Sequence, residues 1–249
     1  MAKTDAGSRA VMARRRKKDD NEGLTEEERR WKELDFYGTP PWAARAGAEM
    51  ALQLWPDAQV VREPACGMMS LAAPMEEYFS EVLPSDVYPH SPNTPVRDFF
   101  DEAAWPAEPD CDLILTNPPF VTAADFLRTA LRRARLGVGL LVRTVWVESV
   151  DRYPLFEGGQ YPLTQFCPFS ERVPMALGPW DPTVGSATSY SWLFWAKDGR
   201  APVAPRWIPP GTRDRLWRND DAARFGRLVP MPLFPEPNVV SFYEDTDVV

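Results

Sequence analysis

Two consecutive prolines, Pro118 and Pro119, stand directly after the short apolar run 112–116 (DLILT), and no other feature constrains the fold as much. The uninterrupted Leu-Ile-Leu of that run is the pattern of a strand buried on both faces. Proline lacks a backbone N–H and fixes φ, so it cannot continue a central strand, and the chain must leave the sheet at Asn117. Around this point short apolar runs alternate with longer amphipathic stretches. Residues 58–62, 81–85, 112–116 and 137–143 read as strands, and 71–79 and 122–135 as helices. The second helix gathers Phe126, Leu127, Ala130, Leu131 and Ala134 on one face and arginines on another. Residues 165–173 and 189–196 follow as strands with no helix of usual length between them, the pattern of an antiparallel edge. The whole predicts an α/β fold: a mostly parallel sheet, an antiparallel edge strand and helices on both faces. Ligands of open α/β sheets bind beyond the carboxyl ends of the strands, so Asn117 is expected to face a cleft. An ordinary Asn-Pro turn is the plainer alternative.

The 249 residues suit one large domain or a domain with appendages, and 44% apolar residues suffice for a sizeable core. Residues 1–34 read as a charged arm in which the basic cluster Arg14, Arg15, Arg16, Lys17 and Lys18 precedes Glu26, Glu27 and Glu28. The arm is either a solvated leader or an electrostatic contact for nucleic acid. Thr25 and Glu28 have capping-box spacing, which predicts a short helix over 25–34. Residues 35–229 form the expected domain, and 230–249, with Pro230, Pro232, Pro235 and Pro237 before an acidic finish, an irregular tail. No apolar stretch approaches the roughly 20 residues of a membrane span, and the basic N-terminus has no signal-peptide core, so a soluble, cytoplasmic protein is expected.

Composition removes several chemistries. With His90 as the single histidine, neither a metal site built on several imidazoles nor a relay through a second ring is available, and no metal is expected. Cys66, Cys111 and Cys167 are odd in number, far apart and in no CxxC pair, which favours a reducing compartment. The net charge of -8, taken alone, argues against a nucleic-acid partner. Arginine supplies 23 of the 28 basic residues, a bias that codon usage explains as readily as phosphate recognition.

What remains is chemistry that needs no histidine or cysteine nucleophile. An exocyclic amine is a poor nucleophile because its lone pair is delocalised into the ring. The Asn117 amide oxygen and the Pro118 carbonyl could accept the two amine hydrogens and draw the nitrogen toward sp³ geometry, with Pro119 stiffening the turn. Phe120 would offer a flat face to an extruded base, a contact worth about 1–3 kcal/mol.

At these residues the chain resembles the class I S-adenosylmethionine-dependent methyltransferases, and among them the enzymes that methylate adenine N6 in DNA. Asn117-Pro118-Pro119-Phe120 matches their Asn/Asp-Pro-Pro-aromatic motif. Glu63-Pro64-Ala65-Cys66-Gly67 looks like their cofactor loop, although Met69 stands where the family usually has a second glycine. The resemblance implies a Rossmann-like fold and S-adenosylmethionine as cofactor. It further implies that Asp86 holds the ribose hydroxyls with Tyr88 beside the adenine, and that Asp98 and Phe99 meet the adenine amine and ring. Thr39 and Pro40, in Tyr37-Gly38-Thr39-Pro40, would line the methionine end.

The motif order resembles the gamma class of these enzymes, over roughly residues 36–197, and compact phage-encoded members offer the best comparison. Double-stranded DNA with the target base flipped out is the implied partner. Few residues remain for a target-recognition domain, so loops 152–160 and 178–188 are the candidates for sequence readout. Other substrates fit the same acceptors, namely RNA adenine or a protein glutamine amide, and a catalytically degenerate nucleic-acid-binding module is a further alternative. Arg143, ending a predicted strand, reads as an internal ion-pair partner or a phosphate contact. Arg128, Arg132, Arg133 and Arg135 read as a solvated face, and Trp180, Trp192 and Trp195 as packing for the late strands.

Overall fold

Six strands form one sheet in the order β2-β1-β3-β4-β6-β5 in a computed structural model that describes residues 23–90, 94–106, 109–185 and 187–226. The strands are β1 Val60–Glu63, β2 Glu81–Pro84, β3 Cys111–Thr116, β4 Ala134–Arg143, β5 Gln165–Pro168 and β6 Tyr190–Ala196. Pairings among β2, β1, β3 and β4 are parallel, and β6 pairs antiparallel with both β4 and β5. This is the expected Rossmann-like α/β arrangement with antiparallel pairing toward one edge. The basic cluster 14–18 and the proline-rich tail 230–249 lie outside the described residues.

The period of two along a strand divides the core into two layers. On β6, Trp192 and Phe194 enter one layer, with Trp42, Leu113, Leu115 and Leu141, whereas Leu193 and Trp195 enter the other, with Ile114, Leu140 and Phe126. Helix α2, Pro41–Leu54, covers the first layer, and helix α4, Ala123–Arg133, covers the second; α1 (Glu26–Glu33) and α3 (Ala72–Met75) are numbered before them in chain order. Trp192 is keyed to α2: its Nε1 donates to Ala43 O at 3.0 Å, and a Cβ on Gly47 would lie 2.3 Å from its Cε2. Glycine is required there because helix and ring have no other way to approach so closely. Trp180, Trp192 and Trp195 are all buried, as their spacing predicts.

Element boundaries depart from the sequence reading in instructive places. The expected helix 71–79 closes after Met75, where the bonding tightens to i→i−3, with Glu76 N donating to Ala73 O at 3.2 Å and Glu77 N to Pro74 O at 3.3 Å, and 76–78 continue as a turn. The strand expected over 165–173 ends at Pro168. Helix α2 carries no clear stripe because ten of its fourteen residues are buried, Arg45 among them, so periodicity does not reveal it. Helix α1 has the full capping box, with Glu28 N donating to Thr25 Oγ1 at 3.1 Å and Thr25 N to Glu28 Oε2 at 3.0 Å. Trp31 docks α1 onto the domain, buried against Gly178 and Phe36.

Candidate active site

Because β1, β2 and β3 run parallel, their carboxyl ends deliver Glu63, Asp86 and Asn117 to one edge of the sheet. A cavity of about 450 Å³ opens there. Of the residues singled out by sequence, it is lined by Thr39, Glu63, Pro64, Ala65 and Cys66, and by Asp86, Asp98, Phe99, Asn117 and Pro119. Five acidic residues line it, Glu33, Asp35, Glu63, Asp86 and Asp98, against one lysine, Lys32. Such a lining favours a cationic ligand.

Asn117 is the best-defined group. Its Nδ2 donates to Tyr37 O at 2.9 Å and to Thr39 Oγ1 at 3.1 Å, with Met175 Sδ 3.9 Å away. Two acceptors on the amide nitrogen fix which way the carboxamide points. Oδ1 is thereby left buried and without a partner among the described residues. Burying an amide oxygen unsatisfied costs about 1–3 kcal/mol, which an incoming donor would recover. Pro118 is buried behind it, and Pro119 O accepts from Thr122 N at 3.1 Å, which turns the chain into α4.

The loop after β1 is held by Asp86, whose Oδ2 accepts from Gly67 N at 2.9 Å and whose Oδ1 accepts from Tyr88 N at 3.0 Å. Each oxygen retains a further lone-pair direction. Gly67 has φ +50°, and Met69 has φ +69°, so the departure from the glycine pattern is in the side chain and not in the backbone conformation. Glu63 is 1% exposed. Burial first, and the Asp86 carboxylate second, push its pKa well above the usual carboxylate range, against the opposing N–H groups of Asn117 and Ala72. Burial likewise raises the Cys66 thiol, with Glu63 and Asp86 adding to the effect, so this cysteine is no thiolate nucleophile.

Other predicted residues stand around this centre. Thr39 is buried, and Pro40 begins α2, its carbonyl accepting from Ala43 N at 2.9 Å. Phe99 is buried against Phe126, ring centroids 5.0 Å apart, while Asp98 Oδ1 accepts from Phe100 N at 2.8 Å. Tyr88 is outside the lining, 36% exposed, with the Arg30 guanidinium 5.7 Å from its ring. Phe120 is also outside the lining. It belongs to an adjoining cluster with Tyr37 at 5.5 Å, Tyr190 at 6.2 Å and the Arg143 guanidinium 4.5 Å from its ring. The internal ion pair expected of Arg143 is not formed with any described carboxylate; its cation lies on aromatic faces instead.

Sequence reasoning missed Asp35, Phe36 and His90 in the lining. His90 stacks on Phe36 with centroids 4.4 Å apart, and its Nε2 lies 3.6 Å from Asp86 Oδ1. Burial lowers its pKa, with Asp86 opposing. Its position four residues after Asp86 was the available signal. Asp35 Oδ2 accepts from Val121 N at 3.1 Å and so ties the segment before the domain to the Asn117 loop.

Neither a family model nor a curated protein matches the chain. Solved structures do. A candidate RNA methyltransferase from Pyrococcus horikoshii is similar at 16% identity and TM-score 0.49, over 67% of this chain and 89% of that one. The modification subunit of a candidate type I restriction enzyme from Vibrio vulnificus is similar at 14% identity and TM-score 0.45, over 72% and 51%. A type I restriction-modification methyltransferase subunit from Streptococcus thermophilus is similar at 11% identity and TM-score 0.46, over 74% and 50%. The matched region thus spans about half the length of both restriction-modification subunits. At these distances the likeness is one of fold, and the site's own geometry has to carry the functional reading.

Proposed function

We propose that this chain is an S-adenosylmethionine-dependent methyltransferase acting on the exocyclic N6 amine of adenine in DNA. One observation carries the reading: the Asn117 carboxamide is locked through its nitrogen, so that a buried, unsatisfied Oδ1 stands at the carboxyl edge of the sheet. That oxygen would accept one amine hydrogen of the substrate, and by the motif the Pro118 carbonyl the other, although Pro118 is buried and outside the cavity lining. The Asn117 acceptor is preorganised by the two bonds on its nitrogen, and holding the amine in line is the main contribution such a site can make. The order of the motifs at Thr39, Glu63 and Asn117 supports DNA adenine over other planar amines.

The cofactor fits the cavity by charge and by donor chemistry. S-adenosylmethionine supplies, when bound, an electrophilic methyl group on a sulfonium centre. The lining acids, with Glu63 giving up its proton on binding, complement its positive charges. Asp86 has lone pairs remaining for ribose hydroxyls, Asp98 and Phe99 on the cavity wall would meet the adenine, and the Glu63 Oε2, buried without a partner, suits the methionine end. Proton loss from the methylated amine is left to solvent, since the only histidine is stacked on Phe36 beside Asp86.

The test is transfer of labelled methyl groups from S-adenosylmethionine to duplex DNA, to RNA and to a glutamine-containing peptide. Transfer to duplex adenine, lost in Asn117→Ala while calorimetry still registers cofactor binding, is the expected result. Transfer only to RNA or peptide would replace the substrate and keep the chemistry. Absence of cofactor binding by the wild-type protein would end the reading.

A further inference from the structure

The Arg143 guanidinium has no described carboxylate within ion-pair distance, although it is half-buried at the rim of the site. Its Cζ lies 4.5 Å from the centroid of Phe120 and 5.6 Å from that of Tyr37. Its Nε is buried with no partner among the described residues, and the Tyr190 ring also lies against Phe120, centroids 6.2 Å apart. Among the described residues the charged group facing this cluster is Asp35, whose carboxylate is engaged by the Val121 N–H. Contacts to aromatic faces are worth about 0.5–2 kcal/mol, which does not compensate a partly desolvated cation with a donor left unmade. A guanidinium carries five N–H donors in a planar fork that matches an anion with paired oxygens.

Topology says where such an anion would come from. Strands β3 and β4 are parallel neighbours with Thr116 opposite Leu140, so Asn117 and Arg143 emerge from the same sheet edge on adjacent strands. A chain of contacts links them: Arg143 lies on Phe120, Phe120 packs on Tyr37, and the Tyr37 carbonyl anchors Asn117. A ligand that presents a planar ring to Phe120 and an amine to Asn117, and also brings an anion to Arg143, is a nucleotide within a strand. Its phosphodiester lies within a few ångströms of its base.

We infer that Arg143 is a substrate-positioning residue that binds a phosphodiester of the target strand next to the nucleotide whose amine reaches Asn117. This rests on the nucleic-acid reading above. While no strand is bound, the guanidinium rests on Phe120; the arriving nucleotide gives it a phosphate and takes the aromatic face.

The experiment measures DNA binding and methyl transfer for the wild type, Arg143→Met and Arg143→Lys across salt concentrations. Matched duplexes carry either a normal linkage or a neutral methylphosphonate beside the target adenine. Arg143→Met is expected to weaken DNA binding by roughly tenfold, with the loss falling on KM rather than kcat, because hydrogen bonds to charged groups are the strong ones. It should also lower the slope of log affinity against log salt by about one, the value of one phosphate contact. Arg143→Lys should keep the slope and recover part of the affinity. The methylphosphonate should weaken the wild type by the same factor and leave Arg143→Met unaffected. An unchanged salt slope in Arg143→Met, or equal sensitivity of both proteins to the methylphosphonate, overturns the assignment, as does a wild type that binds no DNA. A wild type that binds DNA and transfers no methyl group refutes the proposed function instead, and the slopes still judge Arg143.

Discussion

Arg45 and Asp221, 176 residues apart in the chain, meet fork to fork with both side chains excluded from solvent: Nη1 lies 2.7 Å from Oδ2 and Nη2 2.9 Å from Oδ1. Glu77 adds a second carboxylate, 2.7 Å from Nη2. Burial alone would pull the Arg45 pKa down, and the two carboxylates outweigh it and hold it above its ordinary value. The cluster ties α2 to the turn after α3 and to the last described helix, Asp221–Phe225. Arg45→Met leaves the Asp221 carboxylate buried and uncompensated and should cost about 3–5 kcal/mol, whereas Asp221→Leu leaves Arg45 still paired with Glu77 and should cost less. A pair of apolar replacements, Arg45→Met with Asp221→Leu, should cost less than the sum, because Glu77 is one-third exposed and can be hydrated. Urea unfolding of the three variants checks this, and strict additivity would refute it.

Thr39 lines the cavity and also accepts from Asn117 Nδ2, so in the proposed reaction it would act through Asn117. Replacing it with valine keeps the volume and removes the Oγ1 that accepts from Nδ2 at 3.1 Å. One neutral hydrogen bond is worth about 1 kcal/mol, and loosening a positioned acceptor is felt mostly in the chemical step. Thr39→Val should therefore lower kcat roughly five- to tenfold with little change in KM, and Thr39→Ser should restore it. Steady-state kinetics on the DNA substrate decides. A loss confined to KM would mean that Thr39 contacts the substrate itself.

How far the chain could be read without its structure follows from how local each signal is. Asn117, Glu63 and Asp86 were legible because each ends a strand, and a strand's end is marked by its own apolar run and the turn residues after it. The layered core was legible for the same reason: the period of two in 190–196 sends Trp192 and Trp195 to opposite faces. Helix Pro41–Leu54 was hidden because burial on nearly all sides erases amphipathicity. Long-range relations were not legible at all. Nothing in the letters brings Tyr37 O to Asn117 Nδ2 across 80 residues, or lays Arg143 on Phe120. Such contacts depend on which strands are neighbours, and composition or local spacing does not encode that.

Gly67 and Met69 both have positive φ, yet substitutions at the two should have opposite consequences. A Cβ at Gly67 would lie 2.5 Å from Phe36 Cε2, and Phe36 lines the cavity. Gly67→Ala should thus destabilise by about 1–3 kcal/mol through backbone strain and overpacking, and should weaken cofactor binding. Met69 already adopts the left-handed conformation that glycine takes without steric cost. Met69→Gly relieves roughly 1–2 kcal/mol of strain and loses up to about 1 kcal/mol to the freer unfolded chain. The net change should be a small gain or none, with cofactor affinity maintained. Thermal unfolding with and without S-adenosylmethionine tests both. A marked loss of cofactor affinity in Met69→Gly would show that the methionine side chain is itself part of the binding surface.

Glu63 gives the site a pH dependence whose sign can be worked out. Its folded pKa lies well above the unfolded value of about 4.3, because burial and Asp86 disfavour the carboxylate. A group of this kind holds its proton in the fold. Stability therefore falls as pH rises from the unfolded pKa to the raised folded one, and no further decrease from this group occurs above it. A cationic ligand in the cavity favours the carboxylate and lowers that pKa, so binding should release a proton. Affinity for S-adenosylmethionine should rise with pH by up to about tenfold per unit between the bound and free pKa values. Calorimetry in buffers of different ionisation enthalpy counts the proton directly. Glu63→Gln should abolish both the release and the pH slope, and should flatten the fall in stability on the alkaline side. If the wild type binds the donor with no proton exchanged across this window, Glu63 is either ionised beforehand or remote from the ligand's charge, and its assignment to the methionine end fails.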